Sequence, residues 1–302
     1  MISRLETAPG EAMVARLDPP GSPAPVVFNS PHSGRFYPPD FRPAVSLELL
    51  QGGEDRFVDE LSAGAPGHGA VVILARFART YLDPNRHADD LDPELLEEAW
   101  PGGVTPGAHT ERGVGLIFRR IGPDVPIYDR RLTVDEVQRR IDRCWRPYHA
   151  ALDAALDEAH ARHGAVWHVN WHSMSAVGNE LSPDPGALRP HFVLGDLDGQ
   201  SCEPAFTDLV ATILTELGYS VALNQPYKGA ELVRRHGDPA AGRHSLQVEI
   251  NRALYMNAQD LRRHEGFARL RRDLEHLTAR LCEFARRSAP RAACHRASRR
   301  AR

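Results

Sequence analysis

The sequence predicts a layered α/β domain with a mostly parallel sheet. Short apolar runs typical of buried strands alternate along the chain with longer segments in which apolar residues recur at helical spacing. Such alternation favours parallel strands that are joined by helices. No internal repeat and no convincing linker interrupts the 302 residues, so we expect one domain.

The predicted strands are short, and several end in polar residues. The first, 25–30, runs into Pro31-His32-Ser33-Gly34, and we interpret it as a buried strand that delivers His32 into a loop. A weaker candidate is 79–82. The remaining predicted strands are 70–75, 165–171, 191–194, 219–223 and 245–250.

Helices are predicted from about residue 55 to 61, and over 132–163, 202–217 and 258–287. In the second of these, Pro147 should kink or interrupt the helix, and Gly164 should end it. The stretch 87–113 is rich in Pro, Gly and acidic residues, and we expect an irregular surface excursion there.

Composition excludes several classes of protein. The net charge of -3, from 37 basic and 40 acidic residues, gives no support for nucleic-acid binding. No apolar stretch approaches the roughly 20 residues of a membrane span, and residues 1–18 lack a signal-peptide core, so we expect a cytoplasmic protein without membrane contact. The four cysteines are scattered, which favours reduced thiols over disulfides.

The C-terminus differs in composition from the rest of the chain. We divide the chain into a domain of residues 1–287 and a basic tail of residues 288–302, which we expect to be disordered. The alternative is a nucleic-acid-binding arm.

Two histidines and an acid lie at or near the ends of predicted strands, where α/β sheets bind ligands. His32, His172 and Glu249 hold these places, and Asp55 or Glu54 could supply a further carboxylate. Two imidazoles and one carboxylate would form a catalytic zinc site with an open position for water. Most of the 15 histidines must have ordinary surface or structural roles, and His168, inside a predicted strand, more plausibly bonds within the core.

Glu249 is a lone acid among apolar neighbours. Burial of a carboxylate is unfavourable unless it meets a cation or a metal site, so a general base is one interpretation. A salt bridge to Arg252 is the other.

Four cationic side chains are candidates for binding an anionic substrate. Arg79 and Arg86 flank a turn, where one guanidinium could hold a carboxylate and the other polarise a scissile carbonyl. Lys228 and Arg235 lie in a glycine-containing segment and could form a second clamp. Solvated surface charge is the alternative for both pairs.

Seven segments, in the same order along about residues 25–275, resemble the N-formylglutamate amidohydrolase family. They are Asn29-Ser30-Pro31-His32-Ser33-Gly34, Glu54-Asp55-Arg56-Phe57-Val58-Asp59, Leu82-Asp83-Pro84-Asn85-Arg86, Trp171-His172-Ser173-Met174, Gly195-Asp196-Leu197-Asp198-Gly199-Gln200-Ser201-Cys202, Asn224-Gln225-Pro226-Tyr227-Lys228-Gly229 and Gln247-Val248-Glu249-Ile250-Asn251-Arg252-Ala253-Leu254-Tyr255.

The resemblance implies a single three-layer α/β domain of the zinc-carboxypeptidase-like type, shared with aspartoacylase-type enzymes, whose mixed sheet lies between helices. It implies one zinc ion per chain on His32, His172 and Asp55, with Glu54 as the alternative to Asp55. Glu249 would be the catalytic glutamate and Asn85 with Arg86 the substrate clamp.

The implied reaction is the hydrolysis of N-formyl-L-glutamate to formate and glutamate, a step that the family name connects with histidine breakdown. Glu249 would act as the base, and Arg79 or Arg86 would stabilise the oxyanion. The alternatives are a deacylase for another N-acyl amino acid or a peptide-like amide, and a non-catalytic binding protein on the same scaffold. The joint presence of His32, His172 and Glu249 argues against the last of these.

Overall fold

A computed structural model describes residues 12–290, and at its centre lies a seven-stranded mixed sheet. Its strands are β1 Val14–Leu17, β2 Val26–Ser30, β3 Val71–Ala75, β6 Val166–Met174, β7 Phe192–Gly195, β8 Val221–Leu223 and β9 Arg243–Asn251. Two further short strands, β4 Arg120–Gly122 and β5 Val125–Pro126, pair with each other outside it.

The order of strands across the sheet is β1-β3-β2-β6-β9-β7-β8. The four central strands β3, β2, β6 and β9 are parallel, whereas β1 pairs antiparallel with β3, and β7 antiparallel with β9. The carboxyl ends of β2, β6 and β9 therefore meet at one edge of the sheet, where a ligand site is expected.

Helices cover both faces of the sheet. They are α1 Leu47–Gln51, α2 Val58–Leu61, α3 Ala65–His68, α4 Ala108–Glu111, α5 Val134–Arg140, α6 Arg146–His163, α7 Pro204–Glu216, α8 Glu231–His236 and α9 Gly266–Ser288. One apolar cluster includes side chains of α2, α7 and α9, and the other includes side chains of α5 and α6. The predicted three-layer α/β architecture is confirmed.

Side chains alternate between the two faces along each strand, and β6 and β9 have one apolar and one polar face. Trp167, Val169 and Trp171 of β6, like Leu246, Val248 and Ile250 of β9, belong to the cluster beneath α7 and α9. The opposite face of these strands carries buried polar residues: His168, Asn170, His172, Gln247 and Glu249. Buried polar side chains on one face of β6 and β9 are therefore candidates for a functional site.

Some predicted elements differ from the structure. The segment 79–82 is not a strand: the amide groups of Tyr81 and Leu82 donate to the Ala78 carbonyl, which makes a turn. The helix expected from residue 55 begins only at Val58, because Phe57 has a left-handed backbone with φ 68°. The last helix begins at Gly266 rather than at 258, and Leu261, with φ 55°, lies in the irregular segment before it.

The predicted interruption near Pro147 is a turn of π-helix, Ile141–Trp145, which joins α5 to α6. Proline lacks the amide hydrogen that would continue the regular pattern, so the wider turn precedes it. Gly164 ends α6 in a left-handed conformation with φ 75°, as expected.

Within residues 12–290, no helix combines the length and the apolar character needed to cross a bilayer. The three described cysteines, Cys144, Cys202 and Cys282, are buried free thiols. Most of the predicted tail, residues 291–302, lies outside the described residues.

Candidate metal centre and active site

Three buried side chains meet at the carboxyl ends of the central strands. His32 follows β2, Asp55 precedes α2, and His172 lies near the end of β6. The Nδ1 atoms of His32 and His172 lie 3.4 Å and 3.1 Å from the same oxygen, Oδ2 of Asp55. The two ring centroids are 4.6 Å apart. The structure thus brings together the predicted pair of imidazoles and one carboxylate.

The loop that carries His32 is held by its backbone. The backbone amide of Asp55 donates to the His32 carbonyl at 2.9 Å, so the loop that carries Asp55 is bonded directly to the loop that carries His32. At Gly34 a Cβ atom would collide with the backbone of Arg76 and Phe77, so glycine lets the loop pack directly against the segment after β3. These contacts place His32 without using its side chain.

His32 has one ring nitrogen that is satisfied and one that is not. A carboxylate can only accept, so Nε2 of His32 donates to Oδ1 of Asp83 at 2.6 Å, and Nδ1 keeps its lone pair. This Nδ1 is buried and has no hydrogen-bond partner among the described residues. A buried polar atom without a partner is rare. Its position 3.4 Å from Asp55 Oδ2 fits a metal ligand.

The pKa directions of Asp55 and His172 suit metal binding. Burial alone would raise the pKa of Asp55, but the hydrogen bond with His172, the adjacent His32 and the charge of Arg79 outweigh it and hold this pKa well below its usual range. Burial lowers the pKa of His172, so its imidazole is neutral near pH 7. An ionised carboxylate and neutral imidazoles are the forms that ligate metals, and this donor set suits zinc, as well as iron, cobalt or nickel.

Of the two adjacent acids, Asp55 and not Glu54 belongs to this group. His32, Asp55 and His172 each offer a ligand atom, and these atoms lie within 4.8 Å of one another. Glu54 instead accepts a hydrogen bond from the Tyr37 hydroxyl at 2.5 Å and lies 3.4 Å from the Arg56 guanidinium.

Glu249 lies beside His172, because the two residues are register partners on β9 and β6. One of its carboxylate oxygens accepts from Gln247 Nε2 at 2.9 Å, which leaves the other available. Burial raises the pKa of Glu249, as a general base requires. The alternative salt bridge is not formed: Arg252 bonds to Asp55 Oδ1 at 3.0 Å and to Ser173 Oγ at 2.9 Å instead.

Arg79, Asn85 and Arg86 join the same site. The Arg79 guanidinium bonds to Asp83 at 2.8 Å and lies 3.9 Å from Asp55. The Asn85 side-chain amide lies 3.2 Å from Nε2 of His172. Arg86 donates to the Val114 carbonyl at 3.2 Å and lies 3.7 Å from Asp83. All three line one cavity with His32, Asp55, His172 and Glu249.

The other two predicted substrate-binding cations lie farther away. Lys228 lines the same cavity, but it is exposed and pairs with Asp198 at 2.7 Å. Arg235 lines a neighbouring cavity, where it pairs with Asp153 at 3.0 Å and lies over the ring of Trp145. The structure therefore does not bring Arg235 to the metal-binding group.

The main cavity has a volume of about 530 Å³ and a strongly basic lining. Asp55 and Glu249 are its only acidic lining residues within the described part of the chain. Its cationic lining residues are Arg79, Arg86, Arg112, Arg120, Arg189, Lys228 and Arg252. Such a cavity attracts small anions.

Sequence reasoning missed two residues that contact the metal-binding group. Asp83 is fully buried and bonds to His32, to Arg79 and, at 2.8 Å, to the amide of Asn85. Its place between two arginines, directly after Tyr81 and Leu82, was the available signal. Arg252 was considered only as a partner for Glu249, and its contact with Asp55, 197 positions away, leaves no trace in the sequence.

Fold and site together define an α/β protein in which a two-histidine, one-aspartate group faces a buried glutamate in a basic cavity. The chain belongs to the N-formylglutamate amidohydrolase family, whose model matches residues 24–256.

Individual relatives agree with this assignment. The chain is 28% identical over 236 residues to an N-formylglutamate deformylase of Pseudomonas putida, a match that spans 77% of this chain and 82% of the relative. A crystal structure of an N-formylglutamate amidohydrolase from Ralstonia eutropha JMP134 is 50% identical and superposes with a TM-score of 0.89, covering 92% of this chain and 99% of that one. A protein from Agrobacterium tumefaciens, 17% identical over 93% of this chain and 99% of its own, shares the fold with a TM-score of 0.67.

Proposed function

We propose that the protein is a zinc-dependent amidohydrolase that converts N-formyl-L-glutamate and water to formate and glutamate. The observation that carries the proposal is the group of His32, Asp55 and His172 in one basic cavity with Glu249. Membership of the family and the names of the relatives supply the substrate. We also propose a cytoplasmic location and a part in histidine breakdown, as the resemblance implies.

His32, Asp55 and His172 would hold one zinc ion per chain. Zinc bound at such a site acidifies water and polarises a carbonyl oxygen. Asp83 orients the ring of His32 by accepting from Nε2, and Arg252 orients Asp55 by donating to Oδ1. Nδ1 of His32 and Oδ2 of Asp55 are then the atoms that would bind the metal.

Glu249 is the proposed general base. It takes a proton from the attacking water as the new bond to the formyl carbon forms, and it returns that proton to the nitrogen as the carbon–nitrogen bond breaks. Its register beside His172 and its hydrogen bond with Gln247 hold it at the cavity wall. The raised pKa strengthens it as a base at neutral pH.

Arg79 is the proposed stabiliser of the oxyanion, since its guanidinium lies between Asp55 and Asp83 at the cavity wall. Asn85 and Arg86 are the proposed clamp for the carboxylate next to the scissile amide, because Asn85 reaches His172 and Arg86 follows it directly. Lys228, at the edge of the cavity, would attract the anionic substrate rather than grip it. We do not include Arg235 in the clamp, because it lines the other cavity.

Formate release from N-formyl-L-glutamate by the purified protein tests the proposal. We expect turnover that a metal chelator abolishes and that added zinc restores. N-acetylaspartate and N-acetylglutamate serve as comparison substrates for the alternative deacylase. No formate from a protein that carries its metal would overturn the proposal, as would faster turnover of an acetylated substrate.

A further inference from the structure

Most cations of the main cavity are already neutralised by carboxylates of the protein. Arg189 makes two hydrogen bonds to Asp184, at 2.9 Å and 2.5 Å. Lys228 pairs with Asp198, and Arg252 with Asp55. These side chains have little capacity left for an anionic ligand.

Arg112 lacks such a partner. Among residues 12–290, its guanidinium forms no ion pair with a carboxylate, and its Nε is buried without a hydrogen-bond partner. Its one side-chain contact is with Nδ1 of His109, at 3.1 Å. A guanidinium can only donate, so Nδ1 accepts, and the proton of neutral His109 sits on Nε2 as a second donor. Arg112 and His109 both line the cavity.

A second cation acts on the same imidazole. The pKa of His109 is lowered to about 3, chiefly by the charge of Arg86, then by burial and by the charge of Arg112. Two guanidinium groups therefore lie near one neutral histidine. Of the carboxylates of the region, Asp83 accepts from His32 and Arg79, and Asp90 accepts from the Gly107 amide and the Thr110 hydroxyl. Repulsion between like charges in a cavity is relieved by a bound anion.

Arg86 and Arg112 differ in how their contacts connect them to the metal-binding group. His172 meets Asn85, and Arg86 follows Asn85 and donates to the Val114 carbonyl. Arg112 lies two residues before Val114. Arg86 is thus joined to the metal-binding group through Asn85, whereas the side-chain contact of Arg112 is with His109. A ligand with two carboxylates on one carbon chain requires two such cations in one cavity.

We propose that Arg112, oriented by His109, binds the side-chain carboxylate of the substrate, while Arg86 binds the carboxylate next to the scissile amide. The site then selects N-formyl amino acids with an acidic side chain. This inference rests on the proposed function and adds the residue that determines specificity. Val114 and Phe118, which also line the cavity, supply apolar surface for the methylene groups between the two carboxylates.

The test compares N-formyl-L-glutamate with N-formyl-L-glutamine, whose side chain has the same shape without the charge. For Arg112→Gln we expect kcat/KM on the glutamate substrate to fall about 100-fold, since truncation leaves the substrate carboxylate unpaired. On the glutamine substrate kcat/KM should change less than about 3-fold, and Arg112→Lys should restore part of the preference. Arg146→Gln is the matched control and should behave as wild type, because Arg146 is exposed on α6 and, within residues 12–290, its side chain bonds only to Asp142.

An equal loss on both substrates, or an unchanged preference, would overturn the role of Arg112. Loss of preference in Arg120→Gln alone would transfer the role to Arg120, whose guanidinium donates to the Pro123 carbonyl and which also lines the cavity. If the wild type released no formate, the proposed function would fail separately. In that case calorimetry would compare the affinities of the protein for glutarate, with two carboxylates, and butyrate, with one. Tighter binding of glutarate that Arg112→Gln abolishes would support the role of Arg112. Equal affinities in the wild type would refute it.

Discussion

Asp83→Asn tests whether the hydrogen bond from His32 to Asp83 holds His32 in place for metal binding. Oδ1 of Asp83 accepts from His32 and from the Asn85 amide, and Oδ2 accepts from Arg79. Asparagine keeps one acceptor oxygen, so in either orientation its NH₂ group faces a donor. Loss of a carboxylate behind a metal-ligating histidine lowers metal affinity about 10- to 100-fold, or about 1.4 to 2.7 kcal/mol. Loss of the buried charge beside Arg79 should also lower the free energy of unfolding, by about 3 kcal/mol.

Competition with a fluorescent chelator measures the zinc affinity at a temperature where circular dichroism shows both proteins folded. Asp142→Asn is the matched control, because Asp142 is an exposed acid whose side chain bonds, in the described part of the chain, only to Gln138 and Arg146. We expect the control to bind zinc as the wild type does. If folded Asp83→Asn kept wild-type zinc affinity, the idea that Asp83 holds His32 for the metal would be wrong.

Two further predictions concern protonation. Glu249→Gln should lower kcat about 100- to 10,000-fold while the protein keeps its bound metal. The control Glu283→Gln, at an exposed position, should leave kcat unchanged. In the wild type, activity should fall as the pH is lowered through the raised pKa of Glu249, because the base is then protonated. A pH-independent rate of formate release across that range would contradict this role. His149 is buried and stacked on Trp145, and burial lowers its pKa to about 3. Below a pH of about 6.5 the unfolded chain therefore binds a proton at His149 that the folded chain does not bind. The free energy of unfolding falls as the pH drops below that value. Urea unfolding at pH 7 and at pH 5 measures how much free energy of unfolding is lost between the two. In His149→Gln this loss should be about 2 kcal/mol smaller than in the wild type. An equal loss in both proteins would refute the lowered pKa of His149.

The sheet was accessible from the sequence because β3 and most of β2 are apolar runs, whereas β6 and β9 alternate apolar with polar residues. The edge strand β1 was not predicted, since Val14–Leu17 is only partly buried and carries Arg16. The turn at 79–82 was misread as a strand because its buried aromatic and aliphatic side chains, Tyr81 and Leu82, look the same in either conformation. Their burial comes from tertiary packing, which local sequence does not record.

The candidate site was partly accessible for a similar reason. His172 and Glu249 are polar residues among apolar neighbours, and a side-chain period of two puts both on one face of adjacent strands. Arg112 and His109 were not considered because they lie in the segment interpreted as an irregular surface excursion. Their proposed role depends on Arg86, which the fold brings against that segment through Val114.

Metal content of the purified chain tests the central claim most directly, measured by mass spectrometry for the wild type and for His32→Ala, Asp55→Ala and His172→Ala. We predict about one zinc ion per wild-type chain and a large loss in each variant that remains folded, since the site has three protein ligands. Stoichiometric zinc in all three variants, or none in an active wild type, would contradict the assignment of these residues as the metal centre.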